Sequence, residues 1–183
     1  MNLVGKPKTI RKINRDSILK FIRQKKITTK VELFELTGIS KQTINNIIVT
    51  LLKKKLVLKI GYGDSSKEGG RRPLLLKFNP DAYYVGGVLL GENKIRCGIT
   101  NLDGKIILRD CIDSEMEKGP KDVIKRMINL VGKMLNSEAL DKEKLLGIGI
   151  GLPGIIDFDK GVVKTLTRFP EWKNIQLTKI FEE

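Results

Sequence analysis

The hydrophobic positions of this chain fall at helical spacing in its first third. Ile18, Leu19, Phe21 and Ile22 make one face and predict a helix over 15–25, with Asn14 placed to cap it. Thr29-Lys30-Val31-Glu32 has the form of a capping box, in which hydroxyl and carboxylate each satisfy an orphan backbone donor. It opens a short helix over 30–37 expected to bury Val31, Leu33, Phe34 and Leu36, and Gly38 supplies a left-handed stop. Ser40 caps a third helix, 41 to about 54, with Ile44, Ile47, Ile48, Leu51 and Leu52 as its buried stripe. Two helices joined by a short Gly-containing turn carry the helix-turn-helix signature. A strand over 56–60, a Gly/Ser/charged loop over 61–70 and a returning strand over 73–78 would form a wing.

From Ala82 the period changes to that of strands. Runs at 83–90, 94–100 and 105–112 are separated by Gly91-Glu92-Asn93 and Asn101-Leu102-Asp103-Gly104, both good hairpin turns. Pro120 then opens a helix whose stripe is Val123, Ile124, Met127, Ile128, Val131, Met134 and Leu135. A buried strand over 145–150 follows and ends in Gly151-Leu152-Pro153-Gly154. A three-stranded meander, a helix and a further strand make an α/β half-domain, so the fold class is mixed α/β in two domains, 1–78 and 79–183.

Charge separates the two domains more sharply than pattern does. Residues 1–78 hold 19 Lys/Arg against 5 Asp/Glu, which accounts for the whole +14 of the 183-residue chain, and the remainder is balanced. An excess confined to one small domain suits a polyanionic partner, double-stranded DNA first among them. A merely Lys-rich composition would have spread the excess along the chain. With no histidine and only Cys97 and Cys111, there is no Cys/His zinc site and no disulfide framework. Both cysteines are expected to be reduced core residues, and neither metal nor cofactor is expected. No stretch reaches the roughly 18 apolar residues of a membrane span, and the basic N-terminus lacks the apolar run of a secretory signal. A cytoplasmic protein is the default.

The apolar stripes would suit any three-helix domain, so the chemistry lies on the other face of the third helix. It carries Lys41, Gln42, Thr43, Asn45, Asn46, Val49 and Lys53, with Ser40 at its start. Gln and Asn bond to adenine in bidentate fashion in the major groove, and Thr and Val touch thymine methyls. A plain solvated helix of this basic protein would carry more Glu and Lys. Gly69-Gly70-Arg71-Arg72-Pro73 at the wing makes Arg71 and Arg72 further DNA-binding candidates, through either a narrow A·T minor groove or phosphate alone.

Several of these segments resemble the ROK family of repressors and sugar kinases, in particular its xylose-repressor-like branch. They are Asn14-Arg15 with Ile18-Leu19, Glu32-Leu33 with Thr37-Gly38-Ile39-Ser40, GGRRPLLLKFNP over 69–80, Val85–Gly91, Asn101-Leu102-Asp103-Gly104 and GIGIGLPGIID over 147–157. The resemblance implies a winged helix-turn-helix followed by the N-terminal lobe of an actin-like, ribonuclease-H-like domain of the hexokinase type. It implies a homodimer on an operator, and a sugar effector near Gly151, Pro153, Gly154 and Arg168. It also raises an alternative, the N-terminal portion of an ATP-dependent sugar kinase. Active relatives begin the second domain with Asp-x-Gly-Gly-Thr, where this chain has Leu89, Gly91, Glu92 and Asn93. Leucine holds no charge and Glu92 repels phosphate. The resemblance places the family's catalytic Asn-Asp pair just beyond Phe181. No catalytic residue is therefore expected, and a sugar-responsive regulator of carbohydrate genes is favoured over the kinase.

Overall fold

Ile18 and Ile22, both fully buried, anchor α1 (Pro7–Lys25) to the first core. The computed structural model describes residues 7–64 and 72–182. Asn14 does not cap this helix but lies inside it. No Gly or Pro interrupts residues 9–13, so the helix anchored by Ile18 propagates back into solvent. Ile10 and Ile13 stay 48% and 58% exposed there. A two-residue strand unseen in the pattern, β1 (Ile27–Thr28), comes next. α2 (Lys30–Thr37) begins at the expected capping box. The Glu32 amide donates to Thr29 Oγ1 at 3.2 Å, while the Thr29 amide and Thr28 Oγ1 each donate to Glu32 Oε2 at 2.8 Å. Those donors hold the Glu32 carboxyl below its ordinary value, Thr28 contributing most. Of the four residues expected to be buried, only Leu33 is; Phe34 is half-buried, and Val31 and Leu36 are exposed. So short a helix turns only its Leu33 side inward.

α3 (Lys41–Lys53) buries Ile44, Ile48 and Leu51, with Ile47 and Leu52 at the margin. β2 (Val57–Tyr62) and β3 (Leu74–Phe78) form an antiparallel hairpin, and β1 adds to β3 to give the order β1-β3-β2. The Asn79 amide donates to the Leu56 carbonyl at 3.0 Å and its side chain to the Lys55 carbonyl at 2.8 Å. These bonds hold the following turn to the first unit, and the chain divides between Ala82 and Tyr83 rather than at 78/79.

In the second unit β4 (Tyr84–Leu90), β5 (Lys94–Asn101) and β6 (Ile106–Asp113) form the antiparallel meander, and β7 (Leu145–Gly151) joins β4 in parallel. The sheet order is β6-β5-β4-β7. The second hairpin turn is organised by buried Asn101, whose Oδ1 accepts from the Asp103 and Lys105 amides at 3.0 Å each. α4 (Pro120–Leu135) covers one sheet face with Val123, Ile124, Met127, Leu130, Val131 and Met134. Beyond β7 the chain forms a second antiparallel sheet that the pattern did not predict. It comprises β8 (Gly154–Asp157), β9 (Val162–Leu166) and β10 (Phe169–Ile175), followed by α5 (Leu177–Glu182). Trp172, Val163, Leu166 and Leu177 extend the same core. Cys97 is buried, and burial pushes its thiol up. Cys111 is exposed rather than in the core, because the alternation along β6 turns Ile112 toward α4 and Cys111 away. Among the described residues no helix is long and apolar enough to cross a membrane.

The α2 cap has a pH signature. Thr29→Ala should cost ~1 kcal/mol of stability near neutral pH. Because the folded carboxyl of Glu32 lies below its ordinary value of 4.5, its contribution is full above that value and is lost as pH falls through the folded value. The difference between wild type and Glu32→Gln, measured by urea denaturation, should therefore shrink on acidification below 4.5. A difference independent of pH would mean that the carboxylate charge is not what the cap uses.

Candidate nucleic-acid interface

The outer face of α3 is set by how the chain turns into it. The Gly38 amide donates to the Phe34 carbonyl at 2.9 Å, and Gly38 takes φ 65, a conformation easiest for glycine. The Ile39 amide donates to Thr37 Oγ1 at 3.2 Å, which fixes the next residue. Ser40 then caps α3: its Oγ accepts from the Thr43 amide at 3.3 Å and donates to Thr43 Oγ1 at 2.9 Å. Ser40 and Thr43 are thus partly engaged in building the helix start.

The remaining residues divide by helical position. Gln42, Asn46, Val49 and Lys53 lie opposite the buried stripe of Ile44, Ile48 and Leu51, and all four are exposed. Lys41 and Asn45 flank them on the α2 side. Lys41 Nζ stands 5.2 Å from the centroid of the Phe34 ring, a cation–π contact. Lys30 Nζ donates to Asn45 Oδ1 at 2.5 Å. This bond occupies the Asn45 carbonyl and leaves its amide group to donate. Thr43 flanks on the other side, bordering an open groove between α3 and α1.

Arg72 is exposed and lines a second open groove of about 450 Å³ with Lys30, Lys59 and Tyr62. Arg71, Gly69 and Gly70 lie outside the described residues. Lys30, Lys59 and Tyr62 were not singled out in the sequence. Only the pairing of β3 with both β1 and β2 sets the wing beside the start of α2.

In the second unit the structure gathers the proposed sugar-loop residues at the carboxyl ends of β4 and β7, where ligands bind in open α/β sheets. Gly151 pairs with Leu89, and a Cβ added at Gly151 would stand 3.1 Å from Leu89 Cδ1. Pro153 sits in a tight turn in which the Gly154 amide donates to the Leu152 carbonyl at 3.1 Å. Arg168, in the β9–β10 turn, pairs with Glu92 at 2.7 Å. That pair is exposed and contributes at most ~1 kcal/mol, but it neutralises the carboxylate in the turn after β4. Among the described residues no cluster of three or more His, Cys, Asp or Glu could hold a metal.

Residues 85–183 match the model of the ROK family, and the chain belongs to that family. It is 33% identical over 176 residues to the xylose repressor of Bacillus subtilis strain 168, covering 95% of this chain and 44% of that protein. It is 37% identical over 92 residues to the glucokinase of Thermotoga maritima, covering 50% of this chain and 27% of the enzyme. Among solved structures, a ROK family transcriptional regulator homologous to the Escherichia coli Mlc protein superposes with TM-score 0.72 and 22% identity. The match covers 94% of this chain and 43% of that one and establishes a shared fold. The chain thus spans less than half the length of the repressors it matches.

Gly154 shows a structural role for one proposed sugar-loop residue. Any Cβ there would overlap the Thr165 carbonyl across the β8–β9 pair and the Leu166 side chain. Gly154→Ala should lower stability by ~1–3 kcal/mol, the usual cost of overpacking, seen as a lower thermal midpoint with no sugar present. An unchanged midpoint would show that the strand yields there and that Gly154 is not needed for the β8–β9 pairing.

Proposed function

We propose that this chain is the DNA-binding part and first lobe of a sugar-responsive transcriptional repressor. In this reading the first unit, ending at Ala82, is a winged helix-turn-helix, and the second, from Tyr83, is a partial actin-like domain. The carrying observation is the face of α3: Gln42 and Asn46 stand exposed opposite the buried stripe, flanked by Lys41 and Lys53. Placed in a major groove, the two carboxamides each offer a donor and an acceptor to an adenine edge. Lys41, Lys53 and the wing residues Arg71 and Arg72 meet the backbone on either side, positioning the helix without reading sequence. The names of the matched relatives, xylose repressor and ROK transcriptional regulator, support the same assignment. A homodimer on a two-fold operator and a sugar bound near Gly151, Pro153, Gly154 and Arg168 complete it.

Gln42→Ala and Asn46→Ala should each remove ~1–3 kcal/mol of discrimination at one base pair, with non-specific binding nearly unchanged. Selection from a randomised duplex pool tests this; variants that recover the wild-type sequence would show that α3 is not the reader.

The kinase alternative rests on the glucokinase match, which spans half of this chain. Phosphoryl transfer needs charge placed on the transferring group and a base at the attacking hydroxyl. The end of β4 instead offers apolar Leu89 and a carboxylate held by Arg168. With ATP, Mg²⁺ and a panel of glucose, xylose, mannose and N-acetylated hexosamines, no sugar-dependent ADP release is expected. Turnover abolished by a substitution in this chain would establish the kinase instead.

A further inference from the structure

One stretch of α1, residues 9–13, serves no core. Residues 9–13 are all exposed, yet the helix continues through them. What they build is an open groove of about 1250 Å³ against α3. One wall is Thr9, Arg11, Lys12 and Arg15, and the other is Thr43, Asn46 and Thr50 of the proposed reading helix. The lining holds three cations and no acid. Arg15 is already engaged by Asp16 at 3.0 Å, whereas Arg11 and Lys12 have no acidic partner among the described residues. A groove with cations on one wall and neutral hydrogen-bonding groups on the other complements one strand of a duplex: phosphates to one side, base edges to the other.

We infer that the N-terminal half of α1 is a second DNA-contacting element. Arg11 and Lys12 hold phosphates of the strand whose bases lie against Thr43 and Asn46. The inference rests on the DNA-binding reading of α3 and adds a backbone clamp to it. The clamp carries no sequence information; it fixes the depth and register of α3 in the groove.

The test is the salt dependence of binding by the full chain, on a duplex selected from a random pool by the wild-type protein and on a duplex of random sequence. Each phosphate contact contributes about 0.9 to the slope of log Kobs against log salt. Arg11→Gln with Lys12→Gln should therefore make both slopes shallower by about 1.8, weaken binding by roughly an order of magnitude at physiological salt, and leave the selected sequence unchanged. Glutamine preserves helix propensity, and the charge-retaining pair Arg11→Lys with Lys12→Arg should restore the wild-type slope. If wild type selects a sequence but the neutral pair leaves its slope unchanged, the clamp is refuted while the reading helix stands. A slope that the charge-retaining pair fails to restore also refutes it. Lost affinity at unchanged slope, with dissociation to monomers in sedimentation, would assign this helix half to a second copy of the chain and overturn the inference. Failure of wild type to bind either duplex would remove the DNA-binding reading itself.

Discussion

Everything on the outer face of α3 depends on the corner at residues 37–40. Gly38 leaves α2 at φ 65, Thr37 Oγ1 accepts from the Ile39 amide, and Ser40 Oγ accepts from the Thr43 amide in the first turn of α3. A Cβ at Gly38 would meet nothing within 4 Å, so the position favours glycine for its backbone conformation rather than for space. If the corner opened, the Ile44, Ile48 and Leu51 stripe would rotate out of the core. Gln42 and Asn46 are displayed only because those three residues hold the opposite side of the helix down.

The neighbouring elements reinforce that display by occupying side chains that would otherwise compete for the same surface. Lys30 holds the Asn45 carbonyl, and Lys41 is drawn over Phe34, both toward α2. Gln42 and Asn46 have no such tether among the described residues. Tethered groups are pre-oriented but spend part of their hydrogen-bonding capacity within the protein. Free carboxamides keep both donor and acceptor for a base edge, at the cost of ordering on binding.

Most of this was legible in the sequence wherever the deciding forces are local. Caps at Thr29 and Ser40, the stop at Gly38 and the stripes of α3 and α4 are written within a few residues of where they act. So are the Asn101–Gly104 turn and the alternation of β4 and β5. The losses have equally physical causes. Asn14 had the chemistry of a cap, but no breaker precedes it, and an uninterrupted helix outlasts a single favourable cap. β1 is two residues long and exists only through Leu76 and Lys77 across the sheet. The β8–β10 sheet carries register shifts at Ile155/Ile156 and Phe169/Lys173, which break the period-two signal on which strand reading depends. Among site residues, the α3 face was visible because its polar composition is unusual. Lys30, Lys59 and Tyr62 were not, since only tertiary pairing brings them to the groove that Arg72 lines.

The two units solve opposite electrostatic problems, and the contrast bears on what the second one is for. The first carries its positive excess on exposed side chains such as Arg11 and Lys12 of α1 and Arg72 of the wing, at a cost in self-repulsion that a bound polyanion would relieve. The second pairs its surface charges locally: Lys94 with Asp113 at 2.6 Å, Lys133 with Asp110 at 2.8 Å, Arg126 with Glu115 at 3.0 Å. In the first two pairs the cation holds the aspartate carboxyl below its ordinary range. Even the carboxyl end of its sheet follows this habit, with Arg168 against Glu92. A site that gathers a nucleotide's phosphates needs uncompensated positive charge or a bound cation, whereas a site for a neutral sugar needs matched donors and acceptors with no net field. A guanidinium and a carboxylate side by side at the ends of β4 and β9 meet the second requirement and oppose the first. That local pairing is the electrostatic ground on which the proposed sugar site is favoured over a site for phosphates.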